Sequence, residues 1–333
     1  MSADGTSQGT PKSGVGMSGG SPDRNTVAIT CGHLIRDIEE YRGHFEDAGL
    51  EIFIPDIAGQ ELAGDELVAA MQAMVGVVAG DDQFTDEVMS QLPELRVISK
   101  WGIGLDGIDL AAAAARDITV SNTPGMFGNE VAEQALGYLL ALVRGIVYVD
   151  REVRAGGWPK PVGRSVGSLT ALVIGLGDIG RTLTTKLSAL GVTVLGADPS
   201  PEAATFAKEQ GITIGDPKSL ASGVDAVIVT APLNDATRAM VDADFIAGMP
   251  SGSWLINVGR GPIVVGTAVA DAIESGHLAG AALDVFEVEP LVDERLRQLP
   301  GLILGSHNAS NTFEACHRTH ERAIANLVAN LGK

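Results

Sequence analysis

Positive charge is scarce in this chain. Lys and Arg total 23 against 42 Asp and Glu, a formal charge of −19 over 333 residues. A surface that acidic repels phosphate backbones and anionic lipid, so neither nucleic acid nor a membrane surface is an expected partner. Cysteine is scarcer still, with only Cys31 and Cys316. Two isolated thiols make neither a disulfide framework nor a metal-ligand spacing, so no metal is expected and a reducing cytoplasm suits the chain. No uncharged run reaches the ~18 residues of a membrane helix. The longest, Gln298 to Phe313, is broken by Gly, Ser, His and Asn. The N-terminus lacks the basic-then-apolar layout of a signal peptide, and no internal repeat is visible.

What remains is a globular composition, 45% hydrophobic and 20% charged, at a length that suggests two domains. Residues 1–25 are Gly/Ser-rich without apolar periodicity and read as a flexible tail, with Met17 an alternative start. From Thr26 the pattern is β/α. Short apolar strands are predicted at 26–30, 51–54, 76–79, 96–99 and 118–121, separated by helices at 35–48, 67–74 and 84–92. A second series follows, with strands at 170–174, 193–197, 226–229, 254–257, 280–283 and 302–304. Its helices fall near 179–190, 202–210, 242–248 and 267–275. Alternation of this kind implies right-handed crossovers and parallel sheets, hence an α/β chain of two doubly wound, Rossmann-like domains. The stretch Asn129–Ile146 is apolar around much of its helical circumference, so it is expected between domains or against a second subunit. A last helix, Phe313–Leu331, follows the second series; its return to the first sheet would make the first domain discontinuous.

Gly175-Leu176-Gly177-Asp178-Ile179-Gly180 directly follows an apolar strand and opens a helix whose apolar face is Ile179, Leu183, Leu187 and Leu190. A second strand ends at Asp198, 18 positions beyond Gly180. This is a complete βαβ dinucleotide-binding pattern with an acid where the ribose lies. Gly175 permits the tight turn, Gly177 close approach of a pyrophosphate, and Gly180 close packing of helix on strand. The helix N-terminus offers unpaired N–H groups and a positive dipole end to the phosphates. A carboxylate at Asp198 accepts ribose hydroxyls and repels a 2′-phosphate, and Pro199-Ser200-Pro201 supplies no Arg, so NAD is favoured over NADP.

Three further segments follow strand ends: Asn257 to Gly261 with Arg260, Ala282 to Pro290 with Asp284 and Glu289, and Gly305 to Ala309 with His307. In an open parallel sheet ligands bind beyond the carboxyl ends of the strands, so these residues can converge. A guanidinium clamps a carboxylate with paired hydrogen bonds. An imidazole trades a proton near neutrality, and a carboxylate behind it raises its pKa. His33, His44, His277, His317 and His320 have no comparable partners in the sequence and read as structural.

These segments resemble the D-isomer-specific 2-hydroxyacid dehydrogenases, most closely the D-3-phosphoglycerate dehydrogenase branch. The likeness runs from about Val68 to Leu331. It rests on VISKWGIGLDGIDL (97–110), SNTPGMFGNEVAEQALGYLLALVRG (121–145), LVIGLGDIGR (172–181), PLNDATRAMVDADFIAGMPSGSWLINVGRGPIV (232–264), GAALDVFEVEPL (280–291) and SHNASNT (306–312). The resemblance implies His307 as proton donor, Glu289 as its paired acid and Arg260 as the substrate-orienting residue. It implies Asp284 at the nicotinamide carboxamide. Thr230, Val258, Gly259, Arg260, His307, Ala309 and Ser310 fall around the cofactor's reactive end. Lys100 and the amides of Gly102 and Ile103 fall at the substrate.

Departures from the family pattern lie around the pocket: Thr230 in place of a common His, Lys100 of Arg, Gly107 of Asn, and Asn308-Ala309-Ser310 after His307. With only 26 residues after His307, no C-terminal regulatory domain of the kind some phosphoglycerate dehydrogenases carry is expected. The domains expected are a cofactor domain at 126–306 and a substrate domain at 26–125 plus 307–333. The activity expected is NAD-dependent interconversion of a D-2-hydroxy acid and its 2-oxo acid, with 3-phosphoglycerate as first substrate. Glyoxylate, hydroxypyruvate and phosphonopyruvate are the alternatives. A homodimer is implied by the resemblance. The rival from another class is an NAD-sensing binding protein resembling the corepressors of this fold.

Overall fold

A computed structural model describes residues 25–57 and 61–332, so the expected tail falls outside it except for Asn25. The strands are β1 (Thr26–Ile29), β2 (Glu51–Phe53), β3 (Gly76–Ala79), β4 (Val97–Lys100), β5 (Thr119–Ser121), β6 (Thr170–Ile174), β7 (Thr193–Ala197), β8 (Thr213–Ile214), β9 (Ala226–Val229), β10 (Ser253–Asn257), β11 (Leu278–Leu283) and β12 (Leu302–Leu304). They form a 5-stranded sheet in the order β2-β1-β3-β4-β5 and a 7-stranded sheet in the order β12-β11-β10-β9-β6-β7-β8. Every paired strand in both is parallel.

Parallel strands are buried on both faces by their crossover helices, which is why β3 and β9 are solidly apolar runs and β10, apolar between Ser253 and Asn257, is fully buried with them. The helix Gly32–Asp47 covers the first sheet with Leu34, Ile38, Tyr41 and Phe45, which recur at helical spacing, and Gly49 follows it at φ 67°. The helix Phe313–Leu331 comes after the second sheet but packs on the first. Ser99 Oγ on β4 donates to the Ala323 carbonyl at 2.7 Å, and Leu327 lies so close to Gly76 that a Cβ there would meet it at 2.8 Å.

The long apolar helix spans Gly128–Arg144. It packs on the helix Asp178–Ala189 and on β10 and β11, and buries Val131, Ala132, Ala135, Tyr138, Leu139 and Val143 within the chain. Its N-terminus is tied to the C-terminal helix: Arg318 Nη2 meets Glu130 Oε2 at 2.5 Å and Arg318 Nε donates to the Met126 carbonyl at 2.8 Å. Gly145, at φ 63°, ends it, and a second helix, Ile146–Arg154, leaves at 63° to the first. Apolar residues open to solvent therefore cluster beyond the long helix: Ile146, Val147, Tyr148 and Val153 on the second helix, then Trp158 and Val162.

No single helix among the described residues is long and apolar enough to cross a membrane. Because Leu139 is fully buried in the shared core, Leu139→Ala should lower the unfolding free energy by about 2–5 kcal/mol, the range for removing a buried Leu side chain. Urea denaturation followed by circular dichroism measures this, and a change within 0.5 kcal/mol, as for an ordinary surface site, contradicts the packing.

Candidate active site

The strand order reverses between β1 and β3 in the first sheet and between β6 and β9 in the second. Such switch points open a crevice beyond the strand ends. Here both crevices face one cleft of about 580 Å³, walled by Thr30 and His33 after β1, Asp81 after β3, and Arg260, Asp284 and His307 from the second sheet. A second cavity of about 330 Å³ adjoins it, and Gly80, Asp81, Lys100, Gly104, Arg260 and His307 line both.

The dinucleotide motif sits at the second switch point. Gly175 has φ 95°, and a Cβ there would lie 2.6 Å from the Ala231 backbone. A Cβ on Gly180 would lie 1.9 Å from the Gly175 carbonyl oxygen. Gly177 differs: nothing lies within 4 Å of where its Cβ would be, so its outer side is open. The first helical hydrogen bond runs from Arg181 N to Gly177 O at 3.0 Å, which leaves the amides of Asp178, Ile179 and Gly180 without partners inside the helix. The open face above Gly177 and those amides fit a pyrophosphate. Thr230 braces the turn from β9, its hydroxyl donating to the Gly175 carbonyl at 2.7 Å.

Asp198 stands at the end of β7. Its Oδ2 accepts from Leu176 N at 2.7 Å and its Oδ1 from Ser200 N at 2.8 Å, and the Ser200 side chain adds a further hydrogen bond. Burial works against its charge, but these hydrogen bonds and Arg181 outweigh it and hold its pKa below the ordinary carboxylate range. A fixed, ionised carboxylate at the end of this strand is a fitting ribose acceptor.

At the reacting end, Asn257 shapes the turn that carries Arg260. Its Oδ1 accepts from Gly259 N and its amide donates to the Arg260 carbonyl, both at 3.0 Å. Gly259 is packed so tightly that a Cβ would lie 2.7 Å from the Ala231 carbonyl oxygen, and Val258 closes the wall of the cleft. The Arg260 guanidinium crosses to the first unit. It lies against Gly104, where a Cβ would be 1.9 Å from Nη2, and its Nε is 3.3 Å from Asp106 Oδ1.

The expectation for the Gly102 amide needs correction. Gly102 N donates to Thr123 Oγ1 at 3.0 Å and is not free for a substrate. The amide of Ile103, one residue on, has no protein partner among the described residues, so it and Arg260 border the same space. Lys100 reaches the cleft, but its ammonium is held by the Gly80 carbonyl and, at 2.7 Å, by Asp81.

His307 and Glu289 meet as expected. Glu289 Oε1 accepts from Phe286 N and its Oε2 accepts from His307 Nδ1, both at 2.8 Å. A carboxylate has no proton to give, so Nδ1 carries the hydrogen and Nε2 is left to face the cleft. The bond to Glu289 raises the His307 pKa above the usual imidazole value against the opposing effect of burial. The loop is fixed by Asp284. Its carbonyl accepts from His307 N at 2.7 Å, its Oδ2 from Ala309 N at 3.0 Å and its Oδ1 from Tyr138 Oη at 2.8 Å. His307 is held at φ 56°, a region costly to a residue with a Cβ. Ala309 and Ser310 follow along the cleft.

Sequence reasoning missed Tyr138, Asp81 and Asp106, each from an element remote from the residue it serves. His33, read as structural, lies on the cleft wall with its ring tilted 30° against Trp101 at 4.8 Å between centroids. No group of three or more potential metal ligands occurs among the described residues.

Residues 136–309 match the family model described as D-isomer specific 2-hydroxyacid dehydrogenase, NAD binding domain. The chain is 36% identical over 257 residues to a glyoxylate reductase of Thermofilum pendens, covering 75% of this chain and 76% of that protein. It is 33% identical over 254 residues to a D-3-phosphoglycerate dehydrogenase of Mycobacterium leprae, covering 76% of this chain but 48% of the relative. Among solved structures, an NADPH-dependent glyoxylate/hydroxypyruvate reductase of Sinorhizobium meliloti superposes with a TM-score of 0.77 at 28% identity, over 91% of this chain and 92% of that one.

Asp198 makes the cofactor preference testable. NADH should support higher kcat/KM than NADPH, and Asp198→Ala should narrow that gap by about tenfold or more, equal to roughly 1.4 kcal/mol. Equal efficiency of the two cofactors in the unmodified protein contradicts the assignment.

Proposed function

The chain belongs to the D-isomer specific 2-hydroxyacid dehydrogenase family, an oxidoreductase with an NAD-binding domain, and on that premise we propose that His307, Glu289 and Arg260 carry out its reaction on a short 2-oxo acid. The single observation behind this reading is the His307–Glu289 pair, 2.8 Å apart, on the cleft that Arg260 enters from the cofactor side. NAD supplies the hydride acceptor for alcohol oxidation and, reduced, the hydride donor for ketone reduction. Arg260 and the Ile103 amide hold the substrate carboxylate. Nε2 of His307 gives its proton to the ketone oxygen on reduction and takes it back on oxidation. Glu289 keeps that proton available near neutrality, and Asp284 and Tyr138 hold the loop in register.

We assign the substrate side to residues 26–125 and 307–333 and the cofactor side to 126–306. Unphosphorylated short 2-oxo acids of the glyoxylate and hydroxypyruvate type are preferred over phosphorylated ones in this reading, in keeping with the two reductases named above. A second copy of this chain suits the exposed apolar face formed by Ile146, Tyr148, Val153 and Trp158. A cytoplasmic setting, where thiols persist, suits Cys31 and Cys316, both buried and free.

The direct test is a panel of 2-oxo acids with NADH, followed at the nicotinamide absorbance. Turnover of at least one is expected. Tight NADH binding with turnover of none supports the sensor reading instead. His307→Ala should cost about 100-fold or more in both directions while NADH affinity changes far less.

The pH dependence follows from the sign of the shift. Reduction needs His307 protonated, and Glu289 extends that state to higher pH. Glu289→Gln should therefore move the alkaline limb of reduction to lower pH, and the acidic limb of oxidation with it. A limb that stays in place while chemistry is rate-limiting withdraws the pairing. Light scattering should give about twice the 34.4 kDa chain mass, and Ile146→Asp should lower it toward a monomer. A monomeric unmodified protein at micromolar concentration refutes the dimer.

A further inference from the structure

Two acids follow β3, and the sequence does not tell them apart. Asp82 is buried and fully used: it accepts from Thr30 Oγ1, from Leu62 N at 2.9 Å and from Gly80 N at 3.1 Å. Asp81 is different. Its Oδ1 takes the Lys100 ammonium at 2.7 Å, while its Oδ2 has no protein partner among the described residues. The pair is lopsided, with the Lys100 side chain 9% exposed and that of Asp81 49% exposed. The cation is thus packed under the carboxylate, and the carboxylate fronts the cavity. It does so at the first sheet's switch point, where both cavities meet beside His307 and Arg260.

The charge inventory of the cleft narrows what a substrate can carry. Arg260 is committed to the substrate carboxylate and faces Asp106 on its other side. Lys100 is neutralised by Asp81. His33, the remaining basic side chain on the described wall apart from the reacting His307, has its pKa lowered by burial and by Arg36, against the pull of Asp81 and Asp37. A second anionic group on the substrate would meet a carboxylate and no unpaired cation. A hydroxyl there would meet an open acceptor, and a substrate that lacks the donor forgoes that charge-assisted hydrogen bond.

We propose that Asp81 is a specificity-determining residue whose free Oδ2 accepts a hydrogen bond from a hydroxyl on the carbon beside the ketone, and whose charge turns away a second anionic group, phosphate included. The substrate class is then an unphosphorylated 3-hydroxy-2-oxo acid. This rests on the 2-oxo acid reduction proposed above and names the substrate for it. Lys100 acts as a positioning residue, holding one oxygen so that the other faces the cleft.

The test compares kcat/KM for hydroxypyruvate, pyruvate and 3-phosphohydroxypyruvate at saturating NADH in the unmodified protein, Asp81→Ala and Asp81→Asn. The unmodified protein should prefer hydroxypyruvate to each of the others by about tenfold or more. Asp81→Ala should collapse both ratios. Asp81→Asn should retain part of the first, because an amide oxygen still accepts, and lose the second with the charge. Effects on folding or on His307 scale all three substrates alike, so the ratios isolate the contact. Ratios that Asp81→Ala leaves within about twofold of the unmodified protein overturn the inference alone, as does preference of the unmodified protein for the phosphorylated acid. If Asp81→Ala does not fold, an unchanged phosphate discrimination in Asp81→Asn overturns it equally. No turnover of any 2-oxo acid by the unmodified protein overturns the functional reading and this inference together.

Discussion

A parallel sheet sends the carboxyl ends of all its strands to one edge, and the site follows from that constraint. Asp81 and Lys100 come from the ends of β3 and β4, and Arg260, Asp284 and His307 follow β10, β11 and β12. None needs a long loop to reach the cleft, because the strand direction has already delivered it there. The two sheets meet with these edges facing, so one volume is walled by residues separated by more than 200 positions, such as His33 and His307. Solidly apolar strands, buried on both faces, form the rigid base on which the polar loops stand.

Among the polar loops, Asp284 has the widest reach. Through one carbonyl and two carboxylate oxygens it holds His307, Ala309 and Tyr138. Tyr138 belongs to the long apolar helix, so the packing of that helix bears directly on the imidazole. Those bonds offset the cost of a left-handed backbone at His307, a kind of strain that persists where the surroundings over-determine it. Glu289 is itself anchored by Phe286 N, so the His307–Glu289 pair is fixed at both ends.

Most strands were legible because parallel-sheet strands are short apolar runs between turn residues, and β3, β6, β7, β9 and β12 begin and end where the pattern places them. Thr213–Ile214 was not, since two residues carry no periodicity. The helix Ile146–Arg154 was not legible: the apolar pattern of its predecessor runs on through Gly145 to Ile146, while the backbone turns at Gly145 and a new helix starts.

The glycine motif and the Arg, Glu and His of the site were readable from their places after strands. Pairings across a crossover were not: Lys100 with Asp81, Arg260 with Asp106 and Tyr138 with Asp284 depend on register between elements, which no local spacing encodes. The same holds for His320, which is fully buried and accepts from Trp101 Nε1 at 2.9 Å. Gly102 failed as a substrate donor for a related reason, because Thr123 on the next segment claims its amide.

The return of the helix Phe313–Leu331 to β3 and β4 also sets a timetable for the nascent polypeptide. Synthesis runs from the amino end, so β1 to β5 leave the ribosome long before the helix that covers one face of their sheet. Until Ala323 and Leu327 arrive, the apolar side of Gly76 and Ser99 has no cover from its own chain. The 7-stranded sheet is available as a contiguous block between the two halves of its neighbour. All strands of the second sheet therefore precede the helix that completes the cover of the first, a cover whose far end is tied where Arg318 reaches Glu130.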